Sequence, residues 1–488
     1  MRDFIIHRQP KFPTPGGSVT VQPVREEYAR NITSGGVGMA AVAPASGDST
    51  ALAPRSLAFI ISASSVGTLI EWYDFYIYGV LAVFFSQHFF PAGNAGTAFL
   101  ASLGIFWTGF VVRPFGAIVF GHLGDLIGRK FTFMLTLLLM GSSTFVIGLL
   151  PDYARIGVLA PVLLVSLRVL QGLALGGEYG GAATYIAEHA PDGRRGFYTS
   201  WIQTTATMGI VVALLVILIC RGALGDEAFT SWGWRIPFLI SAVLVAVSAV
   251  IRLKLAESPL FVRLKEQGKS AKNPMRESLG SGRNWGLILL ALFGATAPEG
   301  VVWYTSQFYV LFYLTTVVKV SYVTVYCIMM AALTAGAPFF VVFGSLSDRI
   351  GRRNIMTLGF TLAAISYWPI FVALSTFKDQ PLVLGLLVFY MVLLVTLVYG
   401  PIAAYLVELF PARIRYTSMS LPYHIGNGVI GGGVPFIGGL IASATGIALT
   451  GLIYPISVAA LGVVVSLIGM REPTHHIKIW DEVSEGKE

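Results

Sequence analysis

Between residues 57 and 470 the chain is a succession of apolar runs of about 20 residues, each long enough at about 1.5 Å per residue to cross a hydrocarbon core of about 30 Å. Twelve such runs are read, at 58–86, 97–120, 132–150, 159–187, 198–220, 235–254, 287–316, 322–344, 355–376, 382–407, 417–440 and 447–469. In lipid every backbone polar group must be satisfied within the segment, so each run is predicted to be a helix. Composition agrees: 55% of residues are hydrophobic and 12% charged, against roughly a quarter charged in soluble domains. The expectation is an all-α integral membrane protein.

The charges between the runs orient the chain. Of 33 Lys and Arg, five fall on one side of the twelve-span topology: Arg155, Arg221, Arg235, Lys319 and Lys378. Arg113 and Arg168 fall inside runs, and the remainder lie on the side that carries both termini. Basic loops stay cytoplasmic, so both termini are predicted there. The net charge of +8 is spread between apolar runs rather than gathered on a soluble face, which argues against a nucleic-acid partner. Cys220 and Cys327 are far apart and lie within or beside apolar runs, so neither a disulfide framework nor a metal site is expected.

A ten-residue pattern divides the chain in two. Gly121-His-Leu-Gly-Asp125-Leu-Ile-Gly128-Arg129-Lys130 returns as Gly344-Ser-Leu-Ser-Asp348-Arg-Ile-Gly351-Arg352-Arg353. Each copy reads as a polar hinge between two runs, with two glycines for a tight turn, an Asp that caps or pairs, and a basic pair left in water. A second repeat, Glu188-x-x-Pro-x-x-x-Arg195, returns as Glu408-x-x-Pro-x-x-x-Arg415. Proline stops each helix, and Glu and Arg stay at the edge, where they serve either as helix punctuation or as gate pairs with the hinge bases. Repeats at matching places in two halves predict two pseudo-symmetric six-helix bundles around a central cavity. The domains are therefore 1–55, a disordered cytoplasmic tail; 56–254, the first bundle; 255–285, a cytoplasmic linker loop; 286–470, the second bundle; and 471–488, a cytoplasmic tail. The first tail has no apolar core of a signal peptide, and Met39 offers an alternative start.

The hinge resembles that of the major facilitator superfamily. Glu71-Trp-Tyr-Asp74-Phe, Arg113-Pro-Phe-Gly, Met140-Gly, Arg168-x-x-Gln-Gly-x-x-x-Gly-Gly-Glu178, Trp232-Gly-Trp-Arg-x-Pro-Phe and Glu257-Ser-Pro-x-Phe occur in order. Together they are similar to the metabolite:proton symporter family. That resemblance implies a bacterial inner-membrane carrier of small polar metabolites such as dicarboxylates, shikimate-like acids, citrate, proline or betaine.

Depth along each run selects the candidate chemistry, because ionisable groups in hydrocarbon are costly and face a partner or a wet cavity. Glu71 and Asp74 lie roughly 18 and 22 Å from the cytoplasmic end of their run, and Arg168 roughly 17 Å from that face. These share a layer, so proton coupling is assigned to Asp74 and Glu71 opposite Arg168: the pair forms when the acid ionises and parts when it is protonated. Arg113 and Glu178 lie nearer the cytoplasm, roughly 10–14 Å deep. Either they pair, or Arg113 takes a substrate carboxylate in its fork. In the second half, Glu299, Trp303, Tyr304 and Gln307 on one run, the last three on one helical face, and Tyr423, His424 and Asn427 on another complete the substrate-binding candidates, as ligands or as packing. Gating is assigned to Gly121, Asp125, Gly128, Arg129, Lys130, Glu188, Arg195, Gly344, Asp348, Gly351, Arg352, Arg353, Glu408 and Arg415.

The functional expectation is proton symport of a small organic acid by alternating access, with the bilayer, the substrate and protons as partners, no cofactor, and a monomer as the working unit. A zwitterionic osmolyte held in an aromatic cage is the alternative substrate. An enzyme is not expected, since neither G-x-S-x-G nor H-E-x-x-H occurs. A transporter-like nutrient sensor is the reading from another class, which flux measurement separates from a carrier.

Overall fold

The computed structural model describes residues 57–90, 95–127, 129–177, 179–253, 274–411 and 414–470. Within these, the side chains of 57–61, 63–64, 95, 121, 124–127, 129–130, 133, 185, 189, 252 and 274–275 are not described. Among the described residues the structure is helical, and no strand occurs. Eleven helices are long and apolar enough to cross a membrane, and Met134–Leu149 is a shorter apolar one. We label the spans α1 (Ser65–Phe89), α2 (Gly96–Phe120), α3 (Met134–Leu149), α4 (Leu159–Glu188), α5 (Arg195–Leu224), α6 (Gly233–Ile251), α7 (Gly282–Val317), α8 (Tyr322–Ile350), α9 (Arg352–Thr376), α10 (Pro381–Leu409), α11 (Arg415–Thr445) and α12 (Ala448–Gly469).

The helices that carry candidate site residues are interrupted. In α2 the helix breaks at Val112 and restarts at Arg113, because Pro114 brings no N–H and cannot continue the preceding turn. In α4 one segment ends at Gly176 and the next begins at Tyr179. The matching helix of the second half, α10, ends a segment at Tyr399 and resumes at Ile402, across Gly400 and Pro401. In α7 three stretches, Leu292–Thr296, Thr305–Tyr309 and Tyr313–Val317, are wound as wider π turns. In α11 another runs from His424 to Gly431. Wide turns of this kind re-aim side chains and concentrate at functional positions.

Two readings of the sequence need correction. The second hinge copy is not a loop throughout: Gly344 to Ile350 remain helical as the end of α8, and the turn is made at Gly351, with φ at 99°. Gly344 instead permits contact between helices, since a Cβ there would lie 2.6 Å from the Gly196 carbonyl oxygen and from Ser200 Cβ on α5. The linker read as loop over 255–285 is helical at Pro274–Gly280, and α7 begins at Gly282. This short helix is pinned by Ser278 Oγ to Ser418 Oγ at 2.7 Å and by Asn284 Nδ2, which donates to the Ser278 carbonyl at 2.6 Å. The tails 1–55 and 471–488, Met39 and most of the linker lie outside the described residues.

Between the halves runs an aromatic seam. Tyr76 stacks on Trp303 with ring centroids 5.2 Å apart, Phe106 meets Phe308 at 5.2 Å, and Phe110 meets Tyr304 edge-on at 5.1 Å. Gly79 lies beneath the Phe106–Phe308 pair, where a Cβ would be 2.9 Å from each ring. Large rings from both halves thus meet at the centre.

The α5–α8 contact yields a prediction. In a variant with Cys220 and Cys327 replaced by Ser, Gly344→Val should cost the state in which α5 and α8 touch about 1–3 kcal/mol through overpacking. Thiol labelling of Ser200→Cys should then rise several-fold. Unchanged labelling with normal transport would show that this contact does not close the hinge side.

Candidate functional site: a buried cation between two helical halves

Arg113 is 1% exposed. Its guanidinium carbon lies 5.1 Å from the Trp72 ring centroid, 5.2 Å from Phe75 and 5.1 Å from Phe110. Three aromatic faces recover part of the lost hydration, at about 0.5–2 kcal/mol each. They do not replace an anion. Nε and Nη1 have no hydrogen-bond partner, although the Tyr304 phenol lies within the reach of the guanidinium. The restart of α2 at Arg113 brings it against the second half: a Cβ at Gly428 of α11 would lie 3.3 Å from Arg113 Cδ and 3.5 Å from Nη1. Glu178, the alternative partner in the sequence, lies outside the described residues.

Arg168 solves the same problem differently. It is fully buried, and Nη1 donates to the Phe75 carbonyl at 3.2 Å and to Gln171 Oε1 at 2.7 Å, while Nη2 donates to the Phe106 carbonyl at 3.3 Å. The rings of Phe75 and Tyr78 lie 4.3 and 4.6 Å from its guanidinium carbon. Neither oxygen of the Asp74 carboxyl has a hydrogen-bond partner, so the expected ion pair is absent in this conformation. Gln171 Nε2 in turn donates to Thr144 Oγ1 at 2.7 Å, and the Thr144 hydroxyl donates to the Met140 carbonyl at 3.0 Å and lies 3.4 Å from the Asp74 backbone carbonyl. Arg168 Nε has no partner, which leaves one donor on the guanidinium. Glu71 is likewise buried.

In the second half the candidates do not act as one face. The π turn at Thr305–Tyr309 shifts the phase of α7, so the uniform helical face read from Trp303, Tyr304 and Gln307 is split. Trp303 stacks on Tyr76, and the Tyr304 hydroxyl lies 3.5 Å from that of Tyr76. The Gln307 amide is fully buried with neither Nε2 nor Oε1 partnered. Glu299 and Asn427 pair with each other, and His424 is fully buried with its ring edge-on to Tyr423. Tyr423 belongs to a chain that single-sequence reading does not find: Gln203 Nε2 donates to Tyr179 OH at 2.7 Å, Tyr179 stacks on Tyr423, and Tyr423 OH meets Tyr399 OH at 3.0 Å. It runs from α5 and α4 to α11 and α10, across the two halves. Tyr76, Trp72 and, of this chain, Gln203, Tyr179 and Tyr399 are the contributors missed, because a side chain in an apolar run carries no signal of its partner.

The hinge side is closed by charges at helix ends. Asp348 accepts hydrogen bonds from the backbone N–H groups of Gly196 and Phe197, both at 2.9 Å. Those are first-turn donors of α5, without partners inside their own helix, and the positive end of its dipole. Arg352 binds Asp348 at 2.7 Å and forks onto Glu408 at 2.9 and 3.2 Å. Arg195 adds Asp192 and, at 3.7 Å, Glu408. Arg353 donates to the Met470 carbonyl at 3.3 Å and Arg415 to the Phe410 carbonyl at 3.0 Å, so these two tie down segment ends. Glu188 is buried in the first half. Of the first hinge copy, Gly128 and the side chains of Gly121, Asp125, Arg129 and Lys130 lie outside the described residues.

Residues 64–434 match the family profile described as Major Facilitator Superfamily. The chain belongs to that superfamily. Within it the relatives are metabolite carriers. The chain is 38% identical to the inner membrane metabolite transport protein YhjE of Escherichia coli (strain K12), over 84% of this chain and 93% of the relative. It is 37% identical to the alpha-ketoglutarate permease of the same organism, over 78% and 87%. With the proline/betaine transporter of Salmonella typhimurium it shares 32% identity over 87% and 86%. Its fold is that of the proton:xylose symporter XylE, with a TM-score of 0.68 at 17% identity over 84% of this chain and 94% of that one. The chain is therefore a multi-pass membrane transporter of the metabolite:proton symporter family, built as twelve helices in two halves, and not an enzyme.

The two halves touch on both sides of the centre. Away from the hinges, Tyr326 OH donates to the Val80 carbonyl at 3.0 Å, and Tyr322 OH meets Asp226 at 3.3 Å beneath the Arg221 guanidinium. The Arg221 hydrogen bond holds the exposed Asp226 carboxyl below its ordinary pKa. A cavity of about 330 Å³ lies on that side between α2, α7 and α11, and no charged residue lines it. Phe312 of its wall packs on Phe308 at 6.0 Å, so one layer of rings separates it from the centre.

Asp348→Asn removes the charge that the α5 N-terminus receives. It should favour opening of the hinge side by up to about 2 kcal/mol, seen as longer spin-label distances between the ends of α5 and α8, with substrate affinity within about twofold of wild type. Affinity lost with unchanged distances would take the residue out of the gate.

Proposed function

We propose that this transporter is a proton symporter of a small organic anion, working by alternating access in a bacterial inner membrane with both termini cytoplasmic. One observation carries the reading: the Arg113 guanidinium is buried between the halves, walled by aromatic rings, with Nε and Nη1 unpartnered among the described residues. A buried cation without its counter-charge is costly. A substrate carboxylate supplies that charge in the two-pronged geometry a guanidinium prefers. Similarity to an alpha-ketoglutarate permease supports the same class. The matching likeness to a proline/betaine transporter supports a zwitterion as the second reading, with the carboxylate on Arg113 and the cation on the faces of Tyr76 and Trp303.

Proton coupling is assigned to Asp74, with Glu71 one turn away and Arg168 opposite. An ionised carboxyl in this dry layer would draw on the remaining Nε donor of Arg168 through a small rearrangement, and a neutral one needs no cation. Gln171 and Thr144 join Arg168 on α4 to α3 and, at the Asp74 backbone, to α1.

Two outcomes are expected in proteoliposomes. Arg113→Lys should weaken binding of the transported acid about tenfold or more, since one ammonium cannot reproduce the fork. Wild-type affinity in a stable Arg113→Ala protein would exclude the contact. Asp74→Asn should retain exchange of substrate but lose accumulation driven by an imposed pH gradient. If Asp74→Asn, Glu71→Gln and the double variant all still concentrate substrate, α1 does not carry the proton.

A further inference from the structure

Both oxygens of the Glu299 carboxyl face one donor. Asn427 Nδ2 lies 3.1 Å from Oε1 and 3.2 Å from Oε2, and the Oδ1 atom of the same amide has no partner. The carboxyl is 0% exposed, and among the described residues no Lys, Arg or His forms a salt bridge with it. A purely structural carboxylate at this depth would be saturated by several donors or by a cation. Here a single amide NH2 group serves two oxygens, and an acceptor beside them is left over.

We propose that Glu299 and Asn427 form a second proton-binding site, on α7 and α11 and separate from α1, in which one amide accommodates both protonation states. With the carboxyl ionised, Nδ2–H donates to it. When a proton binds one carboxyl oxygen, a half-turn of the amide exchanges Nδ2 for Oδ1, and the new O–H donates to that acceptor. The proton comes from water on the open side of the carrier, no other bond is made or broken, and the site passes from one negative charge to none. The unpartnered Oδ1 is the acceptor that the second state uses.

The surroundings join this site to the substrate. The groups that act on Glu299 are Tyr304 on its own helix, Arg113 on α2, Tyr179 on α4, Tyr399 on α10 and Tyr423 on α11. Among these, Arg113 is the cation. A carboxylate arriving on Arg113 offsets its field and favours proton uptake at Glu299, and by reciprocity a neutral Glu299 favours the carboxylate. This coupling rests on the anion reading of Arg113, whereas the proton site itself does not. The pair also stands where α7 and α11 cross closely: a Cβ at Gly300 would lie 2.7 Å from Asn427 Cα and 3.1 Å from Gly431 Cα. A change in the pair therefore reaches the helix crossing directly, beside wide turns on both helices.

Infrared difference spectra of the purified full-length protein, recorded across a pH titration, test the site without transport. The wild type should show a protonated-carboxyl C=O band that shifts in D2O, is absent in E299Q and survives in D74N. Asn427→Leu should keep the band and move its frequency, which decides the matter even if E299Q fails to fold. An E299Q spectrum identical to wild type, or a frequency untouched by Asn427→Leu, overturns the proposal. Calorimetry with alpha-ketoglutarate in buffers of different ionisation enthalpy counts the protons taken up on binding, and E299Q should lower the count by about one. If the wild type does not bind this probe, the anion reading fails while the infrared result still decides the proton site. An unchanged count in E299Q removes the coupling to Arg113.

Discussion

A guanidinium held in the middle of a hydrocarbon-spanning protein loses hydration that its neighbours must replace, and the two buried arginines of this carrier show two ways of replacing it. Arg168 is met by backbone carbonyls, a glutamine and aromatic faces, all within the first half. Arg113 is met chiefly by rings, at the boundary with the second half. The first arrangement is closed and can hold a helix packing permanently. The second leaves donors over, and a site with donors left over at the seam of two moving bodies is where binding energy can be linked to motion.

That linkage requires contacts that are firm in one state and separable without large loss. The hinge lock has this character, because Asp348 takes N–H groups that have no partner within α5 and so are satisfied either by the carboxylate or by water. Arg352 and Glu408 remain on the second half and keep each other's charge compensated when the halves part. On the opposite side the contacts are phenols, rings and one exposed acid, which water replaces at little cost. The centre differs from both ends: its rings interlock over Gly79. Separable ends around a ring-packed middle suit the alternating access proposed above.

Periodicity and repeats made the spans and the two halves legible, since run length and the spacing of Gly121–Lys130 against Gly344–Arg353 depend on the bilayer and on topology alone. They also placed Arg113, Arg168, Asp74 and Glu299 at depth, because a charged residue in an apolar run stands out. Partners were not legible. Arg168 reads as the counter-ion of Asp74, yet backbone carbonyls occupy it, and carbonyls leave no trace in a sequence. Gly344 reads as a turn residue because glycine serves both loops and tight crossings, and the spacing of Gly196 opposite is visible only in three dimensions. The wide turns of α7 and α11 have no sequence mark here beyond an abundance of glycine in α11, and they are what divide Trp303, Tyr304 and Gln307.

Charge balance at the centre separates the two substrate classes. A dicarboxylate brings one negative group to Arg113 and must place the other against Asp74, Glu71, Glu299, the second guanidinium or a hydroxyl. Acids in that layer tolerate it only when neutral, so each anionic charge beyond the one on Arg113 calls for a proton on the protein or on the substrate. A zwitterion brings its own cation, which gains from ring faces and from ionised carboxyls and loses nothing when they stay ionised. On the proposed reading these residues ask for more protons per acid than per zwitterion, so proton stoichiometry would read the substrate class through the acids of α1 and α7.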